Sequence, residues 1–308
     1  MTSAPLWSAA LLLAVVGGLA LAAASLDAVL VADAAASPRR AALAAPLRET
    51  ARLLVAQRRT TLAPDPLLWR AGGAGLLVAA VLATAVVPLG GRVLLDSGVG
   101  VVWFNAFDVL VWGLVWLTGW GSNSLVGLVG GYRFLALALS YELPLMFALT
   151  SPAIAARSLR VGDVVSAQSG AWYVVQMPVA MAVFLLGVVA FSLSGPFAQP
   201  VADDLAGGVL AELGGVDRLL VAAGRYALLV SGAAFSVALF LGGGAGPLLP
   251  GWAWSVLKTL AVLAALVVVR RRLPLVRGDR FAAVGWVVLL PAAIVQALVV
   301  SVIALPGS

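Results

Sequence analysis

Two ionisable side chains, Arg133 and Glu142, interrupt the stretch Gly119–Glu142, GWGSNSLVGLVGGYRFLALALSYE, which otherwise reads as lipid-embedded helix. A charge near the centre of a bilayer costs about 2.5–3.5 kcal/mol or more, so such residues carry a role by default. Nine positions separate the two, which on a helix is about 13–14 Å along the axis and opposite faces. Each therefore needs its own partner. A carboxyl kept from water exchanges a proton more readily than it holds a fixed charge, and Ser140 and Tyr141 beside Glu142 can supply hydrogen bonds. The competing reading is a polar anchor between helices.

A second group of acids follows the apolar run that ends near residue 193. Asp203, Asp204, Glu212 and Asp217 cluster on a side of the membrane that is otherwise basic. The cluster reads either as a solvated loop or as carboxylates gathering protons at a cavity mouth. Lys258, the sole lysine, lies within a span in Val256-Leu257-Lys258-Thr259, where snorkelling and pairing with a carboxylate are equally economical. Arg225 is a further intramembrane charge. Asp27 and Asp108 lie close enough to the ends of apolar runs to read as ordinary interfacial residues. The segment RRRLPLVRGDR, residues 270–280, reads first as an orientation signal touching anionic lipid.

The elements that must hold these residues are spans. Of 308 residues 63% are hydrophobic and 10% charged, with a mean hydropathy of +1.09. Soluble domains are about 45–50% apolar and about 25% charged. The sequence thus predicts an all-α, multi-pass membrane protein forming one transmembrane domain. The first span covers residues 6–31, and seven more fill residues 72–305 as apolar runs of about 18 residues or longer. Between them, residues 41–60 read as an amphipathic helix at the interface, with Leu47, Leu54 and Val55 on one face and Arg48, Arg52 and Arg59 on another. Seven arginines of Arg39–Arg70, then Arg218, then Arg270, Arg271, Arg272, Arg277 and Arg280 fall on alternate loops. The positive-inside rule puts those loops in the cytoplasm and both termini outside. The formal charge of +6 marks this side rather than a nucleic-acid surface.

The sequence contains neither Cys nor His. Thiolate-held iron–sulfur clusters, His-ligated haem, ordinary zinc sites and imidazole relays are all excluded. Proton chemistry has to run on carboxylates, Arg, Lys258, Tyr and water.

In their order and spacing these pieces resemble the family of the membrane-embedded H subunit (also numbered 1) of NADH:quinone oxidoreductase, respiratory complex I, to which the anchor subunits of membrane-bound hydrogenases are related. Trp120-Gly121-Ser122-Asn123-Ser124 looks like the family turn W-[AS]-S-N-[SN], and Arg133 falls at the arginine of L-R-x-x-x-Q. Ser140-Tyr141-Glu142 matches S-Y-E. Pro196-Phe197-x-Gln199-Pro200-x-x-Asp203-Asp204 resembles P-F-D-x-P-E-x-E-x-E, and Leu257-Lys258-Thr259 matches L-K-T. Arg270, Pro274, Arg277 and Asp279 follow the spacing of R-x-x-x-P-R-x-R-x-D-Q, and Trp286–Pro291 the terminal W-x-x-L-L-P. The likeness runs from about Ala45 to the C-terminus. Pro46-Leu47-Arg48-Glu49 is also similar to the Q-P-Y-R-D of the hydrogenase version.

The resemblance implies eight helices and an amphipathic helix forming one wall of a quinone chamber. The iron–sulfur clusters would sit in partner subunits and no cofactor in this chain. It implies a multi-pass subunit of the cell's inner (plasma) membrane, in contact with other membrane and peripheral subunits, with quinone and with lipid. Glu142, Asp203, Asp204, Glu212 and Lys258 would belong to the proton path. Arg133, Arg225, Arg270, Arg277 and Asp279 would be supporting charges, and Arg48, Glu49 and Arg52 would face the quinone cavity or a docked partner. Two departures stand out. Ala34–Ala45 replaces the family's G-P-N-R-x-G-P segment, leaving Arg39 and Arg40, and Arg225 occupies a site that aligns with a glutamate. The alternatives are a hydrogenase-type anchor subunit and a stand-alone proton-coupled transporter built on Glu142 and Lys258.

Overall fold

The computed structural model describes residues 2–3, 5, 7–202 and 207–305; Asp203 and Asp204 lie outside the described residues. The long helix α1, Ser8–Ala34, is followed by two short ones, α2 at Arg39–Leu43 and α3 at Ala45–Val55. These occupy the place of the interfacial helix expected over residues 41–60. Pro46 sits in the first turn of α3, and the helix stops where Ala56 turns extended. Only Leu53 is buried, while Leu47, Leu54 and Val55 face outward.

Helix α4, Pro66–Thr84, is started by Asp65, whose carboxylate accepts from the amides of Leu67 and Leu68. This is the capping that satisfies orphan N–H groups at a helix start. Helices α5, Gly100–Gly121, and α6, Leu125–Ala156, form an antiparallel hairpin through the Ser122–Ser124 turn. Its arms approach closely because residues at the contact are small: a Cβ added at Gly119 would press into the Gly127 carbonyl oxygen, well inside van der Waals contact. In lipid the hydrophobic effect does not press helices together, so close packing of small residues and polar links must do so.

Two short helices follow, α7 at Val161–Ser166 and α8 at Tyr173–Gln176. Met177 then breaks the chain direction and Pro178 opens α9, Pro178–Phe191. Fourteen residues rise only about 21 Å, short of a hydrocarbon core of about 30 Å, so α8 and α9 together make one crossing. Helix α10, Gly215–Phe240, is the innermost span, and α11, Gly251–Arg272, returns to the basic side. The last span is α12, Gly278–Val284, a π-helical turn at Gly285–Leu289, and α13, Leu290–Ile303. Pro291 lacks the N–H that an α-helical ladder needs there, which accounts for the widened turn. Among the described residues seven helices are long and apolar enough to cross a membrane, and α9 is a shorter apolar helix; the eightfold expectation is met in this form. One apolar core joins them, centred on Phe104 stacked on Phe235 at 3.9 Å, with Phe184, Phe191 and Phe240 around it.

Candidate functional site

Glu142 lies near the middle of α6 and is 7% exposed. Its Oε1 accepts from Asn105 Nδ2 at 3.1 Å, from one turn of α5. Asp108, on the same helix as Asn105 and 2% exposed, accepts from the Tyr141 hydroxyl at 3.4 Å. The two bonds cross over, Asn105 of α5 to Glu142 and Tyr141 of α6 to Asp108, and so bring the Asp108 and Glu142 side chains to the same buried α5–α6 contact. Asp108 is thus a site residue that its position near a run end concealed. What hid it is that its partners are on the neighbouring helix.

Arg133 faces away from Glu142, as its spacing predicts. Its Nη1 donates to the Gly207 carbonyl at 2.5 Å. Glu212 is anchored to the same end of α6, where Ser124 Oγ donates to its Oε1 at 2.7 Å. Val209 donates its amide to the Pro200 carbonyl at 2.9 Å. The segment from Gly207 to Glu212 is therefore strapped along the start of α6 by Ser124 of the WGSNS turn and by Arg133. Eighteen positions of helix, roughly 27 Å, separate this anchor from Glu142, so the two acids do not touch.

A third group ties α1 to α10 and α11. Asp27, 5% exposed, accepts from Arg271 Nε at 2.5 Å and Nη2 at 2.6 Å, from Arg270 Nη2 at 3.2 Å, and from the Tyr226 hydroxyl at 3.0 Å. Arg270 also stacks over the Tyr226 ring. The interfacial reading of Asp27 gives way to a buried ionic hub. Arg225, one residue along from Tyr226, donates through Nη2 to the Leu193 carbonyl, and its Nε is buried without a partner among the described residues.

Beside this hub opens a cleft of about 890 Å³ between α1, the short helices α2 and α3, and α10. Its walls are small and apolar, with Gly17, Ala20, Ala24 and Ala223. Its polar end carries Asp27, Tyr226, Arg271, Arg48 and Glu49. Arg48 donates to the Ala41 carbonyl, and Arg52 holds Glu49 through bonds of 2.5 and 2.7 Å. That hydrogen bond keeps the Glu49 carboxyl below its ordinary value, with slight burial opposing it. Arg52 itself points to the outer surface. A larger hollow of about 1050 Å³ beside the other end of α1 is lined by apolar residues such as Trp7, Leu11 and Trp252, with Arg92 its one charged side chain. It offers far less chemistry.

Lys258 is buried, but its partners are not carboxylates. Its Nζ donates to the carbonyls of Leu241, Gly243 and Ala245 at 2.6, 3.1 and 2.7 Å, with the Trp172 ring 4.1 Å away. It closes the end of α10, where orphan carbonyls await donors. Arg277 and Asp279 pair at 3.0 Å in the open. The loop they belong to is docked, because the Val276 amide donates to the Pro196 carbonyl at 2.9 Å and Phe281 meets Phe197 edge-on.

The NADH dehydrogenase family model matches residues 35–301. The second H-type subunit of NADH-quinone oxidoreductase in Geobacter sulfurreducens is 34% identical over 266 residues, 82% of this chain and 80% of the relative. The second such subunit of Cereibacter sphaeroides (strain ATCC 17029 / ATH 2.4.9) is 38% identical over 215 residues, 69% and 67% of the two chains. That of Rhodopseudomonas palustris is 31% identical over 268 residues, 84% and 82%.

Proposed function

The chain belongs to the NADH dehydrogenase family, that of the membrane-embedded H subunit of complex I, and we propose that it borders the quinone cavity of such an assembly and couples electron transfer there to proton movement. In this reading it anchors the peripheral redox arm, whose subunits carry the iron–sulfur clusters. The chain has no Cys or His, so its own residues lack the thiolate and imidazole ligands such a cluster takes. It lies in the inner (plasma) membrane with the arginine-rich loops in the cytoplasm.

The observation that supports this best is the cleft at α1, α3 and α10. An apolar trough ending in a charged hub suits an amphiphile with a long hydrocarbon tail and a polar head. Arg48, Glu49 and Arg52 hold the mouth of that cleft or the face where a peripheral subunit docks. Asp203, Asp204 and Glu212 take protons at the cytoplasmic surface, and Glu142 receives them within the bilayer. Arg133, Arg225, Arg270, Arg277 and Asp279 hold these parts in register. Lys258 holds the chain together at the far end of α10 by donating to three carbonyls, a structural place outside the proton path.

The test is Ala24→Trp in the assembled complex, which places an indole in the trough. The KM for a short-chain quinone rises about tenfold, the equivalent of about 1.4 kcal/mol of lost contact, with assembly unchanged. An unaltered KM would assign the quinone to another surface.

A further inference from the structure

Three buried oxygens around Glu142 have no donor among the described residues: Glu142 Oε2, Asp108 Oδ2 and Asn105 Oδ1. The other oxygen of each carboxyl is served, by Asn105 for Glu142 and by Tyr141 for Asp108. Both acids are more than nine-tenths buried and are brought together across the α5–α6 contact, where Asn105, one turn from Asp108, bonds Glu142, and Tyr141, next to Glu142, bonds Asp108. Two ionised carboxylates there would repel one another in a low-dielectric setting, and neither could donate to the other. Buried acceptors without donors are costly. Among the described residues no Lys or Arg is bonded to either acid; the only other titratable group bonded to the pair is the Tyr141 hydroxyl.

We propose that Asp108 and Glu142 form one proton-sharing site, in which a single proton is held between the two carboxyls and a second is taken up and released during turnover. With one proton the pair carries one negative charge; with two it is neutral; release returns it to the first state. Because the shared proton can sit on either acid, charge passes between α6 and α5 without leaving the buried site. Asp108 is then the residue through which Glu142 exchanges its proton. This rests on the reading of Glu142 as part of a proton path.

The test uses the assembled complex in sealed liposomes, with electron transfer and proton translocation measured together. Asp108→Asn keeps the size and most hydrogen-bonding shape of the side chain. It lowers proton translocation at least about tenfold, as expected when strongly coupled sites are separated. Asp108→Glu restores most of it. Glu142→Gln gives the same loss, and the double variant is no worse than either single one. A protonated-carboxyl band in redox-induced infrared difference spectra is present in the unaltered complex and absent from Asp108→Asn. Full translocation and an unchanged band in Asp108→Asn, with Glu142→Gln inactive, would overturn the shared site and leave Glu142 in the path. Full translocation in both variants would overturn both readings. Translocation that follows sodium rather than proton concentration would assign the three oxygens to a metal cation and overturn the proposal.

Discussion

Replacing Asp27 with asparagine removes the one acid that, among the described residues, pairs with Arg270 and Arg271 where α1 meets α11. The carboxylate accepts four hydrogen bonds, two from Arg271, one from Arg270 and one from Tyr226. An amide offers one acceptor oxygen, and its NH₂ group opposes guanidinium donors, so about two of the charge-assisted bonds are lost. Each is worth about 1.5–3 kcal/mol when buried. The Arg270 side chain is 12% exposed, so its term counts nearly in full; that of Arg271 is 41% exposed and is discounted for screening. The net cost comes to about 2–4 kcal/mol, toward the lower part of what breaking a buried pair by removing one partner costs. For a chain of this size it corresponds to a fall of roughly 4–12 °C in the unfolding midpoint. The assay is thermal unfolding of the purified complex in detergent, followed through a fluorophore on the α10–α11 loop, at low and high salt. Because the hub is buried, added salt should change the difference little. A midpoint unchanged by Asp27→Asn, or a difference abolished by salt, would show the hub to be a screened surface contact and refute the reasoning.

Lys258→Met leaves three carbonyls at the end of α10 without their donor; it destabilises the protein by about 2 kcal/mol and exposes the loop of residues 242–250 to proteolysis. Proton translocation per intact complex is retained, and its loss would instead make Lys258 a proton carrier. Gly285→Ala drives a methyl into the Ser140 carbonyl oxygen, so α6 and the last span must part at a cost of about 1–3 kcal/mol; unchanged yield of assembled complex would contradict that contact. Glu49 is held below its ordinary value by Arg52. A depressed carboxyl contributes stability that is present above the unfolded value and lost as pH falls through the folded one. The Glu49–Arg52 pair within α3 therefore persists as pH falls through the ordinary carboxylate range, checked by the mobility of a spin label at position 51, and loosening of the helix on mild acidification from neutral would count against the pairing.

The spans, their alternation and the two faces of α6 were legible because they rest on local rules: hydropathy, the 3.6-residue period and charge asymmetry. The opposite-face placement of Arg133 and Glu142 follows from spacing alone. Partners were less legible. Asp27 meets arginines 243 and 244 positions away, and its place in the first apolar run gives no hint of them. Lys258 is satisfied by backbone carbonyls, which every residue carries and no side-chain pattern reveals. The break of the fifth crossing at Met177 was visible only as Pro178 within a continuous apolar run. Asp108 was misjudged by counting from the run end rather than from the helix it pairs with.

Buried Ser and Thr hydroxyls mostly bond back into their own helix, whereas the charged side chains described above and their partners join different elements. Asp27 links α1 to α10 and α11; Asn105, Asp108 and Tyr141 link α5 to α6; Arg133 links α6 to the Gly207 segment; Arg225 links α10 to the Leu193 carbonyl after α9. In a bilayer such links supply much of the helix association that burial supplies in water, so charge and helix position are not independent here. Gly195 adopts a positive φ of 53° and presses against Arg270, where a Cβ would come within 2.5 Å of the Arg270 Cβ. The backbone of Arg270 thus touches the start of the acidic loop while its side chain reaches Asp27 at the cleft. A side chain at position 195 would therefore have to displace Arg270, whose guanidinium is bonded at the hub. Packing at one glycine thus joins the α11 end of the hub to the segment that begins at Gly195.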